Sequence, residues 1–188
     1  ITLRILRAKG YNCIVFDLDI KKIELAEKYG AIGVRENLTE TVLYHTKGNG
    51  ADSTIIAAAS QSSNIINEAT SYTKRKGKII SSGVIGLNLI RDNFFKKQIE
   101  LVVSNSSGDK DHKGEGSSYE NIKHFFELIS LNKLEVLDLI SEETNLKNSD
   151  SIYLFPNNSM FFSKLIKYEN INRKPVQTFL KQNKYKNG

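Results

Sequence analysis

Short apolar runs alternate with amphipathic segments from residue 1 to about residue 133. The runs are rich in β-branched and aromatic residues, which is typical of buried strands, and they lie within 11–19, 31–34, 51–60, 78–83 and 99–104. The segments between them carry apolar residues at the three- and four-residue spacing of a helix. These predicted helices lie within 1–10, 20–30, 38–50, 62–77, 91–98 and 119–135.

Strands that alternate with helices predict βαβ units and therefore a parallel sheet that is covered on both faces. The predicted fold is a doubly wound α/β domain. After about residue 140 the pattern weakens. A short helix is predicted within 148–155 and a strand within 159–169, and 171–188 is a polar tail.

Single residues favour particular helix ends and faces. Gly30 fits the end of the second helix, and Thr39 fits the start of the third. The basic run 74–76 is assigned to the last turn of the fourth helix, where positive charge favours the helix dipole. The apolar face expected to be buried in the last helix consists of Ile122, Phe125, Phe126 and Ile129.

Composition narrows the class of protein. The chain has 188 residues, of which 39% are hydrophobic and 26% charged, and this fits a globular domain. No apolar run approaches the roughly 20 residues that span a bilayer. Cys13 is the single cysteine, so a disulfide framework is excluded and a reducing cytoplasm is expected. The net charge of +6 reflects a lysine-rich composition more than a nucleic-acid surface.

Candidate metal ligands lack the spacing of a metal site. His45, His112 and His124 are far from one another and from the cysteine. The segment 109–116 is rich in oxygen ligands but lacks the spacing of a calcium loop. We expect this segment to be a solvated loop.

Two carboxylates, Asp17 and Asp19, directly follow the first predicted strand. Ligands of a doubly wound sheet bind outside the carboxyl ends of its strands, so Asp17 can accept hydrogen bonds from the hydroxyls of an adenosine ribose. Its charge would repel a 2′-phosphate, which favours NAD over NADP. Lys22 could reach the ribose edge or pair with Asp19. The alternative is that the carboxylates only cap the helix starting near Ile20, a role that Asp19 fits best.

Small residues end two further strands. Gly83 ends the strand in KIISSG, and the small side chains of AAAS, residues 57–60, end its neighbour. A glycine where a strand leaves the sheet lets the backbone approach a flat ligand closely. Tight turn geometry explains the same residues without a ligand.

Five segments carry a family resemblance, and they occur in order along the chain: FDLDIKKIELAEKYGA, GNGADSTIIAAAS, GKIISSGVIG, FFKKQIELVVSNSSG and ISLNKLEVLDLIS. Together they resemble the cofactor-binding part of the medium-chain dehydrogenase/reductase superfamily, which includes the alcohol dehydrogenases. The resemblance covers residues 1 to about 168. GLNLIRDNFFKKQIELVVSNSSG also resembles a subgroup fused to a sugar-oxidoreductase domain, although that subgroup's longer aromatic segment is absent.

The resemblance implies a cofactor site. Asp17 matches the ribose-binding Asp of the family, and Lys22 matches a basic residue near the adenosine. Ala58 falls on the strand end that lies against the cofactor, and Gly83 and Val84 fall where backbone meets the nicotinamide carboxamide. No catalytic or metal-binding position of the family is matched in this chain.

The resemblance also implies parts that these residues do not contain. The glycine-rich phosphate loop, the first strand of the sheet and a zinc-binding substrate domain would all precede Ile1. That strand is central in the order 3-2-1-4-5-6, so its absence predicts either a gap between the second and fourth strands or their direct pairing. We expect a truncated Rossmann-like fold and a fragment that alone is poorly stable or inactive.

The expected organisation is a partial dinucleotide-binding domain at 1–140, a return segment toward the missing catalytic domain at 141–170, and the tail at 171–188. The implied activity is that of an NAD-dependent alcohol, polyol or sugar dehydrogenase. Any zinc would belong to the missing part. A homo-oligomer is expected through the sheet edge, with no nucleic-acid or membrane partner.

Two alternatives remain open. One is a non-catalytic nucleotide-binding remnant or interaction module. The other is a methyltransferase, which would use the same ribose acid but an antiparallel last strand. Fold alone does not separate these functions.

Overall fold

A computed structural model of the protein describes residues 1–104, 118–148 and 163–167. The chain divides into two compact units, Ile1–Glu135 and Val136–Gly188. Several sequence-based predictions lie outside the described residues: His112, the loop 109–116, nearly all of the helix within 148–155, and the tail 171–188.

Helices and strands alternate in the first unit, as the hydrophobic pattern predicts. Its helices are α1 (Thr2–Ala8), α2 (Ile20–Lys28), α3 (Leu38–His45), α4 (Asn64–Tyr72), α5 (Arg91–Lys97) and α6 (Ser118–Ser130). Its strands are β1 (Ile14–Phe16), β2 (Ile32–Val34), β3 (Ala51–Ile56), β4 (Thr73–Ser81) and β5 (Glu100–Val103).

The strands of the first unit pair in parallel and form two separate sheets, β1–β2 and β3–β4–β5. Within the described residues, β1 and β3 each have one edge without a strand partner. The sequence predicts either a gap or direct pairing at this point, and in the described residues β1 and β3 do not pair. The architecture is therefore α/β with parallel sheets, which confirms the Rossmann-like fold.

The core of the larger sheet lies between its strands and α4. Ile56, Ile66, Ala69 and Ile79 are buried and form one cluster. Each isoleucine side chain of this cluster contributes about 1.5–3 kcal/mol when fully buried. On the smaller sheet, α2 packs close to β2 because residue 33 is glycine: a Cβ there would lie 2.4 Å from Cγ2 of Ile23.

Two predicted helix ends have different outcomes. Gly30 has a left-handed φ of 77° directly after the last turn of α2, as the sequence predicts. The assignment of Thr39 as an N-cap is wrong, because Asn37 caps α3 with a left-handed φ of 55°. Asparagine tolerates that conformation. Because the helix already starts at Leu38, Thr39 lies inside its first turn.

The assignment of the basic run 74–76 to a helix is also wrong, because these residues belong to β4. The helix α4 ends at Tyr72, and the hydroxyl of the fully buried Thr73 donates to the Ala69 carbonyl at 2.7 Å. The cation at this helix end comes instead from Lys97. Its Nζ donates to the carbonyls of Thr70, Ser71 and Thr73 at 2.6, 2.8 and 2.9 Å. Burial lowers the pKa of the Lys97 ammonium.

The predicted apolar face of α6 is only half correct. Phe125 and Ile129 are half-buried beside the buried Leu128, whereas Ile122 and Phe126 are 55% and 60% exposed. The reason is that α6 packs against α1 along a narrow strip, which leaves part of the wide apolar face uncovered.

The second unit contains two short 3-10 helices, Leu137–Leu139 and Leu146–Asn148, and a parallel pair of strands. The strands are β6 (Glu142–Asn145) and β7 (Lys164–Lys167). The described strand β7 lies inside the strand predicted at 159–169 and confirms that part of it.

Candidate functional site

The carboxyl end of β1 carries the first group of predicted site residues. The amide of Asp17 extends the pairing of β1 with β2 by donating to the Val34 carbonyl at 3.4 Å. Its carboxylate oxygen Oδ1 accepts from the Asp19 amide at 3.0 Å, and Oδ2 lies 3.6 Å from Nζ of Lys22. The side chain of Asp17 is 34% exposed. It is therefore positioned by its neighbours while part of its surface still faces solvent.

Asp19 has the capping role that the sequence predicts for it. It is the N-cap of α2, and its Oδ1 accepts from the Lys21 amide at 3.0 Å. Asp17 has local contacts of its own, because its carboxylate accepts from the Asp19 amide and lies beside Nζ of Lys22. Nζ of Lys22 lies 3.6 Å from the Asp17 carboxylate, whereas the sequence names the ribose edge and Asp19 as its possible partners.

The carboxyl ends of β3 and β4 carry the second group. A Cβ on Gly83 would lie 2.0 Å from the carbonyl oxygen of Ala58, so the two backbones touch directly. The amide of Gly83 donates to the Ile56 carbonyl at 3.0 Å. Ala58 is exposed, and the side chain of Val84 is 84% exposed. The structure thus brings Ala58, Gly83 and Val84 together on an accessible backbone surface.

The site residues form two groups at strand ends, Asp17 with Lys22 and Ala58 with Gly83 and Val84. Crevices outside the carboxyl ends of strands are where doubly wound sheets bind ligands. A carboxylate suits sugar hydroxyls, and an exposed backbone suits a flat amide. The cavity of about 490 Å³ that includes Asp52, Lys74 and Arg75 lies elsewhere, at the amino ends of β3 and β4.

Sequence reasoning missed the polar contacts of three residues beside the second group. The amide of Ser60 donates to the Val84 carbonyl at 2.9 Å, and Oγ of Ser63 accepts from the Asn88 amide at 2.9 Å. Asn67 contacts the backbone of the segment after Gly83. The signal was present as the Ser- and Asn-rich SQSSNIIN, but such residues before a helix are normally caps.

Two kinds of feature are absent from the described residues. Within residues 1–104, 118–148 and 163–167, no group of three or more His, Cys, Asp or Glu side chains could hold a metal ion. No helix in the same part of the chain is long and apolar enough to cross a bilayer.

Comparison with known proteins gives matches at the level of structure only. No protein-family model and no curated protein matches the chain. The alcohol dehydrogenase TADH from Thermus sp. ATN1 matches with a TM-score of 0.68 and 14% identity, over 89% of this chain and 47% of its own. The likeness establishes the fold.

Two further structures agree. A short chain alcohol dehydrogenase from E. coli CFT073, complexed with cofactor NADH, has a TM-score of 0.68 and 18% identity over 88% of this chain and 48% of its own. The 2R,3R-butanediol dehydrogenase from Bacillus subtilis has a TM-score of 0.61 and 17% identity over 79% of this chain and 41% of its own. This chain therefore spans less than half the length of these three structures. Their fold agrees with the resemblance to alcohol dehydrogenases seen in the sequence.

Proposed function

We propose that this chain is the cofactor-binding portion of an NAD-dependent dehydrogenase that acts on an alcohol, polyol or sugar. The observation that carries the proposal is the placement of Asp17 and of the Gly83–Val84 backbone at strand ends of one Rossmann-like unit. Solved structures with this fold include NAD-dependent alcohol dehydrogenase and D-arabinose dehydrogenase, which supports the substrate class.

The proposed division of the cofactor follows the chemistry of each group. Asp17 accepts hydrogen bonds from the ribose hydroxyls of the adenosine half, and its charge disfavours a 2′-phosphate, so NAD is favoured over NADP. Lys22 holds the Asp17 carboxylate and lies at the adenosine edge. Ala58, Gly83 and Val84 offer a flat backbone surface to the nicotinamide half. When bound, NAD supplies the hydride acceptor, and these residues only bind and orient it.

The remaining parts of the enzyme are proposed to lie in a longer protein. Within the described residues, β1 and β3 each have an edge with no strand partner. One more parallel strand would pair at these edges, and a glycine loop following that strand would hold the pyrophosphate. The group that polarises the substrate, a zinc ion or a proton relay, would come from the same preceding part. A second copy could pair along β5, the other edge of the larger sheet. We place the enzyme in a reducing cytoplasm because Cys13 is a free thiol.

A non-catalytic binding or interaction module is the second candidate. The observation that favours it is the local use of Asp17, whose carboxylate already accepts from the Asp19 amide and pairs with Lys22. These two contacts would be enough to explain Asp17 if its role were only to stabilise the start of α2.

The test compares the two carboxylates in the longest polypeptide that the gene encodes, after the coding DNA upstream of Ile1 has been read. The affinity for NADH is measured by fluorescence titration for the wild type, Asp17→Ala and Asp19→Ala. Asp17→Ala is expected to weaken binding about tenfold or more, since hydrogen bonds to a charged group contribute about 1.5–3 kcal/mol each.

Asp19→Ala is the matched control. It should leave the NADH affinity unchanged and lower the free energy of unfolding by about 1 kcal/mol through loss of the cap. Equal and small effects of both variants on NADH affinity would contradict the proposal and favour the non-catalytic module.

A further inference from the structure

The segment that follows Gly83 is held in place by polar contacts from α4 and the loop before it. Between β4 and α5 the chain runs from Ser82 to Ile90 without a helix or strand. An isolated parallel bridge between Ser60 and Ile85 attaches the first part of this segment to the end of β3. In that bridge the Gly86 amide donates to the Ser60 carbonyl at 3.1 Å.

Asn67 holds the second part of the segment. Its Nδ2 donates to the carbonyl of Asn88 at 2.9 Å, and its Oδ1 accepts from the amide of Ile90 at 2.9 Å. The same Nδ2 also donates to the Ser63 carbonyl within α4, again at 2.9 Å. One side-chain amide therefore pairs with the backbone of 88–90 as a neighbouring strand would. Oγ of Ser63 accepts a further hydrogen bond from the Asn88 amide.

Burial of apolar side chains contributes little to the position of this segment. Ile85 packs against the core, but Val84, Leu87 and Ile90 are 84%, 48% and 55% exposed. Gly86 permits close backbone approach, because a Cβ there would lie 2.4 Å from the Gln61 carbonyl oxygen. A segment with this much exposed apolar surface depends on its hydrogen bonds for a single conformation.

We propose that Asn67 is a positioning residue for the nicotinamide half of the cofactor. Asn67 holds residues 88–90 against α4. It thereby fixes the path of the chain after Gly83 and Val84, whose backbone would meet the carboxamide. This inference rests on the proposed function, because that function assigns the carboxamide to this backbone. Asn67 itself touches no cofactor atom. The ribose group at Asp17 belongs to the other sheet and does not depend on the clamp.

The distinguishing probe is ADP-ribose, which shares the adenosine, both riboses and the pyrophosphate with NADH but lacks nicotinamide. A residue that supports the fold in general would change the affinity for both ligands equally. A residue that positions only the nicotinamide site would change the affinity for NADH and leave that for ADP-ribose unchanged.

The experiment uses Asn67→Ala and Asn67→Asp in the longest polypeptide that the gene encodes. Asn67→Asp keeps the size of the side chain but removes both donated hydrogen bonds. Asn64→Ala, at an exposed position one turn earlier in the same helix, is the control. The affinities for NADH and ADP-ribose are measured by calorimetric titration. Amide hydrogen exchange of residues 84–90 is followed by mass spectrometry.

Both Asn67 variants are expected to weaken NADH binding about tenfold and to speed exchange at 84–90 about tenfold, since the contacts to Asn88 and Ile90 are lost or weakened. ADP-ribose affinity and the Asn64→Ala control should match the wild type. Equal losses for NADH and ADP-ribose, or wild-type exchange at 84–90 in Asn67→Ala, would overturn the positioning role. If the wild type binds neither ligand, or Asp17→Ala changes neither affinity, the proposed function itself fails and the positioning role fails with it.

Discussion

At the scale of single residues, Asp17 and Asp19 show how two neighbouring carboxylates acquire different environments. Asp19 accepts from the Lys21 amide and caps α2, which the sequence predicts because an Asp before an apolar helical pattern is a standard N-cap. Asp17 accepts from the Asp19 amide and pairs with Lys22. The pairing partner of Lys22 could not be chosen from spacing, because both carboxylates lie within reach of one flexible side chain.

Gly83 is expected to be intolerant of any side chain. In Gly83→Ala the new Cβ would lie 2.0 Å from the Ala58 carbonyl oxygen, and backbone cannot move aside as a side chain can. The variant should lose about 2 kcal/mol of unfolding free energy, as overpacked sites do. Urea unfolding measures this change.

The neighbouring substitution Ser82→Ala is the control, since Ser82 is exposed and should change the free energy of unfolding by less than about 0.5 kcal/mol. Ala58→Gly should not rescue Gly83→Ala, because the clash involves the carbonyl and not the Ala58 side chain. A Gly83→Ala protein as stable as Ser82→Ala would show that the two strand ends are not in contact.

At the scale of elements, the end of α4 shows a limit of the local hydrophobic pattern, which predicts the helix but not where it ends. The apolar spacing of residues 64–72 correctly predicts a helix, but the basic run after it was assigned to the same helix and lies in β4. The helix ends because its last carbonyls are satisfied by Lys97, which follows it by more than twenty residues, and by the hydroxyl of Thr73. The sequence of the helix alone does not predict such a contact, because its donor lies in a different element.

Tyr72, in the last turn of α4, makes the free energy of unfolding vary with pH in the alkaline range. Burial, followed by the nearby Glu68 carboxylate, raises the pKa of its phenol from 10.0 to about 12. The folded state therefore keeps this proton in a range where the unfolded state has released it. The contribution to stability is fully present below about pH 10 and is lost as the pH rises through about 12.

The measurement is the free energy of unfolding between pH 8 and pH 11 for the wild type and Tyr72→Phe. The variant should lose less stability than the wild type as the pH rises above about 10. Tyr44→Phe, at a position that is 81% exposed, should keep the wild-type slope. Identical slopes in all three proteins would contradict the assignment to Tyr72.

At the scale of the whole molecule, the division of the first unit into two sheets has an energetic consequence. Parallel sheets are normally covered on both faces and continuous, yet β1 and β3 both keep an unpaired edge in the described part of the chain. Phe16 at the end of β1, the strand next to the expected central strand, is 45% exposed. Apolar surface of this kind is a cost that an added central strand would remove.

The 188-residue chain is therefore expected to melt at a lower temperature and with less cooperativity than the longest polypeptide that its gene encodes. NAD should stabilise only the longer protein, by about 2.7 kcal/mol at a concentration one hundred times its Kd. Differential scanning calorimetry of both proteins, with and without NAD, measures this. A sharp transition of the 188-residue chain that NAD shifts upward would contradict both expectations.

The sequence alone determined the order of helices and strands, their parallel arrangement and the cap at Asp19. These features follow from side-chain periodicity and from residues that act on their immediate neighbours, both of which are visible in a linear string. Only the tertiary structure decided the contact of Lys97 with the end of α4, the strip of α6 that is buried, the contact of Gly83 with Ala58, and the Asn67 clamp. Each of these joins residues from different elements, so its partners are chosen by the packing of the chain and not by their spacing along it.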